Sequence, residues 1–414
     1  MRLAYALLLV SILIFARFGI NLGSYSLDLS AVAMYGLVTL GLLTGALDVS
    51  LKRAALYGLC VACAGLSLYV NLLARDVPNT SFGSLSLVLF LYLPFLFVLR
   101  PRTLSSNEDI RFCHGLFLNL GFFVACAGVA QFFVQFVYRP SWLFDFSHLI
   151  PSPLRGSSHY NTTIPVGSFF KSNGFFLREP SGFGFLVALC FLMEWEGPKR
   201  FVRLGLFGLA LLVSYSGTGI LTLLIGALFP LSLRTTLRIL GLLGAGILIF
   251  LVAGELLNLN ATLDRVSEFD EERKNSSGYI RYIAPARLIG DTFFSDLWTP
   301  LVGHGPGSIS REKQLYEFFD PTWAKLLFEY GVLGALSFLA LFIVTLSHPG
   351  LSPSVRAVLF FCWLVMGGHL LSPSNNYLVL ALAGLLSHQS GAVRKRAGPF
   401  PLTRLISRPA PKAA

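Results

Sequence analysis

Long apolar runs follow one another along most of the chain, separated by short polar segments. Because an α-helix of about 20 apolar residues crosses the hydrocarbon core of a bilayer, the pattern predicts about twelve membrane-spanning helices. These predicted segments are Leu3–Ile20, Ala31–Asp48, Ala54–Leu73, Phe82–Leu99, Phe112–Tyr138, Gly182–Trp195, Leu204–Ser216, Gly219–Leu233, Ile239–Leu257, Trp323–Leu346, Val355–Leu371 and Tyr377–Ser387.

Two parts of this pattern allow a second interpretation. The segments between Leu204 and Leu233 are short for two crossings and could form one broken hairpin around the Gly- and Ser/Thr-rich turn Ser214–Gly219. The N-terminal run has the basic start and apolar stretch of a signal peptide. It lacks a small-x-small cleavage site, so we expect a retained first helix.

Two longer polar stretches, Arg139–Pro180 and Asn258–Asp320, interrupt the apolar pattern. With twelve spans, ten basic residues of the short connections fall on the same side, which the positive-inside rule makes cytoplasmic. They are Lys52, Arg53, Arg100, Arg102, Arg111, Lys199, Arg200, Arg203, Arg234 and Arg238. We therefore expect one helical bundle over residues 1–388, both termini in the cytoplasm and both long loops in the periplasm. The basic tail 389–414 is expected to be disordered and to touch anionic lipid.

Composition supports this organisation. The chain of 414 residues is 54% hydrophobic and 13% charged, against about 25% charged residues in a soluble domain, and its mean hydropathy is +0.68. A net charge of +11 could indicate nucleic-acid binding. However, the charges lie in short loops and the tail, which fits membrane topology better. All six cysteines lie in apolar runs, so we predict buried thiols rather than a disulfide or metal site.

One candidate anion site lies where the first long loop enters a helix, at Arg178-Glu179-Pro180-Ser181-Gly182. Pro and Ser favour a first helical turn. Arg178 could form a surface ion pair there or bind an anion. A guanidinium stays charged and offers a planar fork of donors to phosphate oxygens.

A second pair of candidate cations, Arg281 and Arg287, lies in the partly helical segment Gly278–Phe294, which Pro285 prevents from being a regular helix. Positions six apart on a helix point about 120° from each other. One of the two therefore faces a site more easily than both, and we favour Arg281.

The polar stretch ends in a glycine-rich run, Gly303-His304-Gly305-Pro306-Gly307-Ser308. Its backbone N–H groups could cradle a phosphate. The run lacks the Lys-Ser/Thr pair and the preceding strand of a nucleotide-binding loop, which excludes that class. His304 could be structural or catalytic.

Two acidic residues flank the start of the apolar segment that follows. Asp320 could cap the helix or act as a general base. Glu329 lies inside the span, where an acidic residue is costly unless it has a partner. Lys325, four residues earlier, can pair with it on the same helical face.

Three runs resemble the O-antigen polymerase and O-antigen ligase superfamily: Ser172–Ser181, Pro300–Ser308 and Asp320–Gly334. The resemblance covers about a third of the chain. It implies an all-α, GT-C-like bundle of the bacterial inner membrane. Such a protein is a glycosyltransferase that takes glycan from an undecaprenyl-pyrophosphate carrier at the periplasmic face. Arginines hold the pyrophosphate, and no metal, nucleotide sugar or other cofactor is needed.

By position, Arg178 and Arg281 match the family's loop arginines, and Arg287 is a third candidate for pyrophosphate binding. Asp320, Glu179 and His304 are the catalytic candidates. The resemblance implies lipid-linked oligosaccharide as both donor and acceptor, contact with membrane lipids, and a chain-length regulator as a partner, with no nucleic acid.

One departure from the family pattern bears on the reaction. Ligases usually have a His-Asn pair where this chain has Asp320-Pro321, which favours a polymerase over a ligase that transfers glycan to lipid A core. A transporter or flippase of lipid-linked glycan is a further alternative. Internal repeats and midplane charges are typical of transporters, and neither is evident in this sequence.

Overall fold

A computed structural model describes residues 1–21, 26–75, 80–100, 106–156, 162–230, 278–312, 320–347, 350–366 and 369–386, with single positions between 237 and 248. This part of the chain is mostly helical. Its helices are α1 Arg2–Leu13, α2 Leu29–Leu43, α3 Leu51–Tyr69, α4 Phe82–Tyr92, α5 Ser106–Val134, α6 Pro180–Glu196, α7 Phe201–Ser214, α8 Gly217–Leu228, α9 Ala284–Thr292, α10 Thr322–Leu346, α11 Pro353–Val365 and α12 Pro373–Val379.

Shorter elements connect or extend these helices. π-Helical turns occupy Val70–Ala74, Tyr279–Ile283 and Leu380–Gly384, while short 3-10 or α turns occupy Leu93–Leu96, Ser141–Leu143, Ser147–Leu149, Ser152–Leu154, Thr299–Val302, Ile309–Glu312 and His369–Leu371. Three antiparallel strand pairs complete the described part: β1 Gly19–Asn21 with β2 Ser26–Asp28, β3 Leu47–Val49 with β4 Phe97–Leu99, and β5 Pro165–Val166 with β6 Phe169–Phe170.

Every predicted apolar segment within the described residues contains a helix. The segment Ile239–Leu257 lies almost wholly outside them, as do the charged cluster Asp264–Lys274 and the tail 389–414. Among the described helices, Leu51–Ala74, Ile110–Val134 and Thr322–Leu346 are long and apolar enough to cross a membrane. The chain therefore has the features of an all-α membrane protein.

Several helices end earlier than the apolar pattern predicts. Helix α2 stops at Leu43, and the chain turns at Gly45, whose φ is +64°. Helix α4 stops at Tyr92, because Pro94 has no N–H for the next helical hydrogen bond. The apolar residues beyond both ends form β3 and β4 instead, so backbone pairing replaces helix there.

The last helix lies at the centre of the bundle. Residues 376–386 are all buried, which is expected of a helix that is apolar all round. Tyr5 donates a hydrogen bond of 2.7 Å to the carbonyl of Ala381, and the backbone N–H of Leu99 donates one of 2.8 Å to Leu385. These contacts join the end of the chain to its beginning.

The cysteines follow the prediction only in part. All six are free thiols, and four are buried. Cys63 is half-buried, and Cys126 is exposed on α5. The prediction of a buried thiol is therefore wrong for Cys126, which lies on the surface of a helix apolar enough to cross a membrane.

Candidate functional site

The loop that precedes α6 is held against α5 by buried polar side chains. The Ser172 hydroxyl oxygen lies 2.8 Å from both the Gly128 carbonyl oxygen and Gln131 Oε1, and its single O–H donates to one of them at a time. Asn173 Nδ2 donates to the Phe144 carbonyl over 2.8 Å, and Gln131 Nε2 donates to Asn173 Oδ1 over 2.9 Å. Because these groups satisfy one another away from water, they fix the path of the chain toward Arg178.

Arg178 and Glu179 point in opposite directions from this loop. The backbone at Glu179 is extended, with φ −139° and ψ 153°, and successive side chains alternate in extended chain. Arg178 forms an ion pair of 2.5 Å with Asp28, at the end of β2. Both side chains are largely buried, so the carboxylate of Asp28 balances the charge of Arg178. The sequence analysis did not identify Asp28.

Arg17 is a second residue that the sequence analysis missed. It lies 3% exposed, and its guanidinium donates to the Leu177 carbonyl over 3.1 and 2.8 Å and to the Phe144 carbonyl over 2.8 Å. It also pairs with Asp145 at 3.1 Å. The signal was available in the sequence, because Arg17 is a charged residue within a predicted span and such residues need partners.

The surroundings of Asp145 shift the pKa of its carboxyl group in opposite directions. Burial would raise its pKa, but hydrogen bonds from Ser147 and the charge of Arg17 lower that pKa below its ordinary value. Asp145 is therefore ionised at neutral pH and balances the buried guanidinium.

Glu179 and Arg281 come together from distant parts of the chain. Arg281 Nη2 lies 3.9 Å from Glu179 Oε2, and the Ser181 hydroxyl donates a 2.8 Å hydrogen bond to the same oxygen. Arg281 Nη1 also donates to the Thr218 hydroxyl over 3.3 Å. Thr218 belongs to the first turn of α8, so Arg281 spans the beginnings of α6 and α8.

Close packing brings those two helix beginnings together. A Cβ at Gly184 of α6 would lie 2.5 Å from the Cβ of Ser216, the N-cap residue of α8. A Cβ at Gly219 would lie 2.9 Å from the Gly184 carbonyl oxygen. Helix N-termini carry partial positive charge, so this region of the molecule attracts anions.

Arg287 lies apart from this pair. Its Nη1 donates a 3.1 Å hydrogen bond to the Tyr279 hydroxyl, and its guanidinium lies 5.8 Å from the centre of the same ring. Of the two arginines predicted in this segment, the structure places Arg281, and not Arg287, beside Glu179.

The backbone of the glycine-rich run is already engaged in hydrogen bonds within the protein. Its N–H groups donate as follows: Gly303 to Thr299 over 2.9 Å, His304 to Phe328 over 2.7 Å, Gly305 to Glu329 over 3.0 Å and Ser308 to Gly305 over 3.3 Å. These groups are not available to cradle a phosphate, contrary to the sequence-based hypothesis. The run instead packs into a kink of α10.

His304 stacks on α10 with its ring centre 4.5 Å from that of Phe328. Burial lowers the pKa of His304, and the nearby positive charge of Arg75 lowers it further. The imidazole is therefore neutral at pH 7, the form in which a ring nitrogen can accept a proton.

Arg75, a residue that the sequence analysis did not select, connects α3 to the glycine-rich run. It donates to the Gly303 carbonyl over 3.0 Å and to the Thr299 hydroxyl over 3.0 Å, and it pairs with Asp296. The Asp296 carboxylate also accepts from the backbone N–H of Trp298 over 2.7 Å. Arg75 thus fixes both ends of the turn at Thr299–Val302.

Asp320 lies one residue before the N-cap of α10, which is Pro321. Its carboxylate lies 3.4 Å from Lys325 Nζ, and Lys325 Nζ also pairs with Glu329 Oε1 at 2.9 Å. The predicted pair of Lys325 with Glu329 is present. Asp320 shares the same ammonium, so it contributes an ion pair rather than the N-cap itself.

An apolar contact links the two groups of charged residues. Tyr279 and Leu288 pack with Phe328 and Ile309 in one buried cluster. The segment that carries Arg281 therefore touches α10 on one side and α8 on the other. Within the described part of the chain, no group of three His, Cys, Asp or Glu residues is placed to hold a metal ion.

The chain matches a known protein family. A family model described as WcaD colanic acid polymerase matches residues 4–299, which is more than half of the chain. The matched region includes Arg178, Glu179, Arg281 and Arg287 and ends just before the glycine-rich run. A search of curated proteins found no match.

Proposed function

Because the chain belongs to the WcaD colanic acid polymerase family, we propose that it polymerises undecaprenyl-pyrophosphate-linked polysaccharide repeat units at the periplasmic face of the bacterial inner membrane. Membership agrees with the resemblance to the O-antigen polymerase superfamily and supports polymerisation of a polysaccharide repeat unit. The carrier, the membrane face and the independence from metal belong to the proposal.

The observation that carries the chemistry is the position of Arg281, between Glu179 and Thr218 where α6 and α8 begin. A fixed cation beside two helix N-termini stabilises negative charge as it develops, without reorganisation during the reaction. A departing pyrophosphate develops such a charge. Arg178, one residue from Glu179, is proposed to act with Arg281, and Arg287 to contribute from the neighbouring turn.

In the proposed reaction, the acceptor hydroxyl oxygen forms a bond to the anomeric carbon of the donor sugar. The bond from that carbon to the pyrophosphate oxygen breaks, and undecaprenyl pyrophosphate leaves. The hydroxyl proton passes to a carboxylate, either Glu179 or Asp320. Neutral His304 shapes the pocket or shares the role of base.

The proposed topology has twelve crossings in a GT-C-like bundle with both termini in the cytoplasm. Contacts between loops support a common outer face. Arg17, Asp28 and Arg75 lie at ends of α1, α2 and α3, and they contact Leu177, Arg178 and Gly303 respectively. The two long loops thus meet at one end of the bundle. Donor and acceptor carriers would approach that end from the membrane, and a chain-length regulator is the proposed protein partner.

The test is transfer by purified protein supplied with a synthetic lipid-pyrophosphate-linked repeat unit, in EDTA and without nucleotide sugar. The proposal expects a ladder of products that differ by one repeat unit. Transfer that occurs only once, and only when lipid A core is added, would show a ligase instead. Asp320-Pro321 in place of His-Asn argues for the ladder. Absence of transfer to either acceptor would overturn the proposal.

A further inference from the structure

Lys171 is a buried cation without a carboxylate partner among the described residues. Its side chain belongs to a residue that is 4% exposed, and its Nζ lies 3.5 Å from the Tyr215 carbonyl oxygen. Lysine is almost never fully buried in proteins unless it is paired, because removing an ammonium group from water is costly. The position therefore needs an explanation.

One explanation is that Lys171 caps the C-terminus of α7, since Tyr215 follows the last residue of that helix. A separation of 3.5 Å is longer than the ordinary range for a hydrogen bond from nitrogen to oxygen. A single weak contact to one carbonyl does not offset the desolvation of an ammonium group. Capping alone is thus an insufficient reason for the burial of Lys171.

The chain beside Lys171 begins a new helix. Tyr215 has a left-handed backbone with φ +45°, and α8 starts two residues later at Gly217. Ser216 caps α8 by accepting a 3.3 Å hydrogen bond from the N–H of Gly219. Thr218, in the first turn, accepts the hydrogen bond from Arg281. Lys171 thus contacts the C-terminal end of α7 and Arg281 the first turn of α8, on the two sides of the short turn that joins these helices.

The backbone that carries Lys171 is rigidly held. The N–H of Lys171 donates to the Ile164 carbonyl over 3.0 Å, and the N–H of Ser172 donates to the Val213 carbonyl over 3.0 Å. The loop therefore runs directly along the end of α7. A cation fixed in this way loses little freedom when it binds a ligand, which is the condition for strong binding of a small anion.

We propose that Lys171, Arg281 and the N-terminus of α8 form a phosphate-binding site, whose ligand is the pyrophosphate of the lipid carrier. The identity of the ligand rests on the proposed function, whereas the anion site rests on the geometry. Pyrophosphate has two linked phosphate groups, and the turn offers one cation on each side, next to the partial positive charge of a helix N-terminus. Lys171 thereby becomes a substrate-binding residue.

The experiment measures the binding of inorganic pyrophosphate to the detergent-purified full chain by calorimetry and by thermal melting. Wild type is compared with Lys171→Met and Lys171→Arg. Lys52→Met is the charge-matched control, because Lys52 is exposed at the start of α3. Loss of one charged hydrogen bond weakens binding by about tenfold or more. We expect that loss in Lys171→Met, partial retention in Lys171→Arg, and wild-type affinity in Lys52→Met.

Melting without ligand separates a binding role from a structural one. If Lys171 is buried for its ligand, Lys171→Met melts at or above the wild-type temperature, because an unpaired buried charge has been replaced by an apolar side chain. Pyrophosphate raises the melting temperature of wild type and not of this variant. A lower melting temperature with unchanged affinity would show that Lys171 only caps α7, and would overturn the proposal.

The source of the phosphate is tested in nanodiscs. Equal affinity for pyrophosphate in phosphatidylcholine and in phosphatidylglycerol supports the carrier as ligand. Loss of binding in phosphatidylglycerol alone would reassign the site to a phospholipid headgroup. It would overturn the assignment of the carrier pyrophosphate as the ligand. These measurements involve no glycan transfer. A chain that binds pyrophosphate through Lys171 but forms no ladder would disprove the proposed polymerase function and leave the anion site standing.

Discussion

Gly303 packs against the backbone just before Gly331, and Gly331 packs against the backbone just before Gly303. Gly303 has φ +72°, and a Cβ there would lie 2.5 Å from the carbonyl carbon of Glu329. Gly331 has φ +62°, and a Cβ there would lie 2.4 Å from the carbonyl carbon of Leu301. The glycine-rich run therefore lies in a kink of α10, with backbone against backbone.

Replacement of Gly331 by alanine is expected to destabilise the protein. A side chain at φ +62° and ψ −165°, a region that essentially only glycine adopts, costs about 1–3 kcal/mol, and the contact with Leu301 adds to this cost. Gly208→Ala in α7 is the matched control, because nothing lies within 4 Å of its Cβ position. That change should be neutral or stabilising by about 0.5–1 kcal/mol. Thermal melting in detergent checks both, and equal melting temperatures for the two variants would contradict the packing described.

The two loop arginines are expected to be essential for transfer. Arg178→Ala and Arg281→Ala should abolish polymer, with losses of about 100-fold or more in initial rate. Rates are compared per amount of folded protein, because Arg178→Ala removes the partner of the buried Asp28. Arg287→Ala should have a smaller effect, because its guanidinium lies against Tyr279. The measurement is product length and rate in the purified assay. Wild-type chain length in the Arg178 and Arg281 variants would refute the mechanism.

Glu179 and Asp320 are the two candidates for the general base, and their variants are expected to differ in the pH dependence of the rate. If Glu179 accepts the proton, Glu179→Gln lowers the rate by about 100-fold or more and removes the acidic limb of the pH–rate profile. Asp320→Asn would then retain the profile. The reverse result would assign the base to Asp320. Retention of the profile by both variants would exclude both carboxylates.

Arg17 is expected to act by positioning the chain before Arg178. Arg17→Met removes its hydrogen bonds to the carbonyls of Leu177 and Phe144 and leaves Asp145 without its partner. Each lost hydrogen bond from the charged guanidinium to a carbonyl costs about 1.5–3 kcal/mol. Asp145→Asn should cost less, because Arg17 keeps its carbonyl contacts and the Asp145 side chain is 41% exposed. Melting temperatures of the two variants in detergent test this order.

The lowered pKa of His304 predicts that the stability of the protein depends on pH. Its folded-state pKa lies below the unfolded value of about 6.5. Above pH 6.5, both states hold the neutral ring, and His304 adds no dependence. As the pH falls below 6.5, the unfolded state takes up the proton first, so the free energy of unfolding decreases until the folded pKa is reached. His304→Gln should therefore lose less stability than wild type between pH 7.5 and pH 5. Parallel melting curves would contradict the predicted shift.

Much of the helical organisation could be read from the sequence. Apolar length predicted a helix in each described segment because a bilayer-spanning helix must bury its backbone polar groups within itself. The ends of α2 and α4 could not be read in the same way. Their last apolar residues pair as β3 and β4, and strand pairing between distant segments leaves no periodic signal in so short a stretch.

The candidate site shows the same division. Local chemistry selected Arg178, Glu179 and Arg281 as candidates, and helical spacing predicted the pair of Lys325 with Glu329. The sequence marked Arg17 as a charged residue within an apolar run, but it could not show the partners of Arg17 and Asp28, because these lie far along the chain. The glycine-rich run was assigned to phosphate, yet its N–H groups are used by α10 and its own turns.

The sequence by itself determined which segments are apolar helices, where the polar loops lie and which residue types are available for chemistry, because these follow from local composition and spacing. Only the tertiary structure decided which charges meet. Arg178 pairs with Asp28 at a separation of 150 residues, while Nζ of buried Lys171 lies beside the Tyr215 carbonyl. Such pairing depends on how packed helices bring distant loops together. The same type of charged residue can therefore form an ion pair or remain without one, according to which residues the packing places beside it.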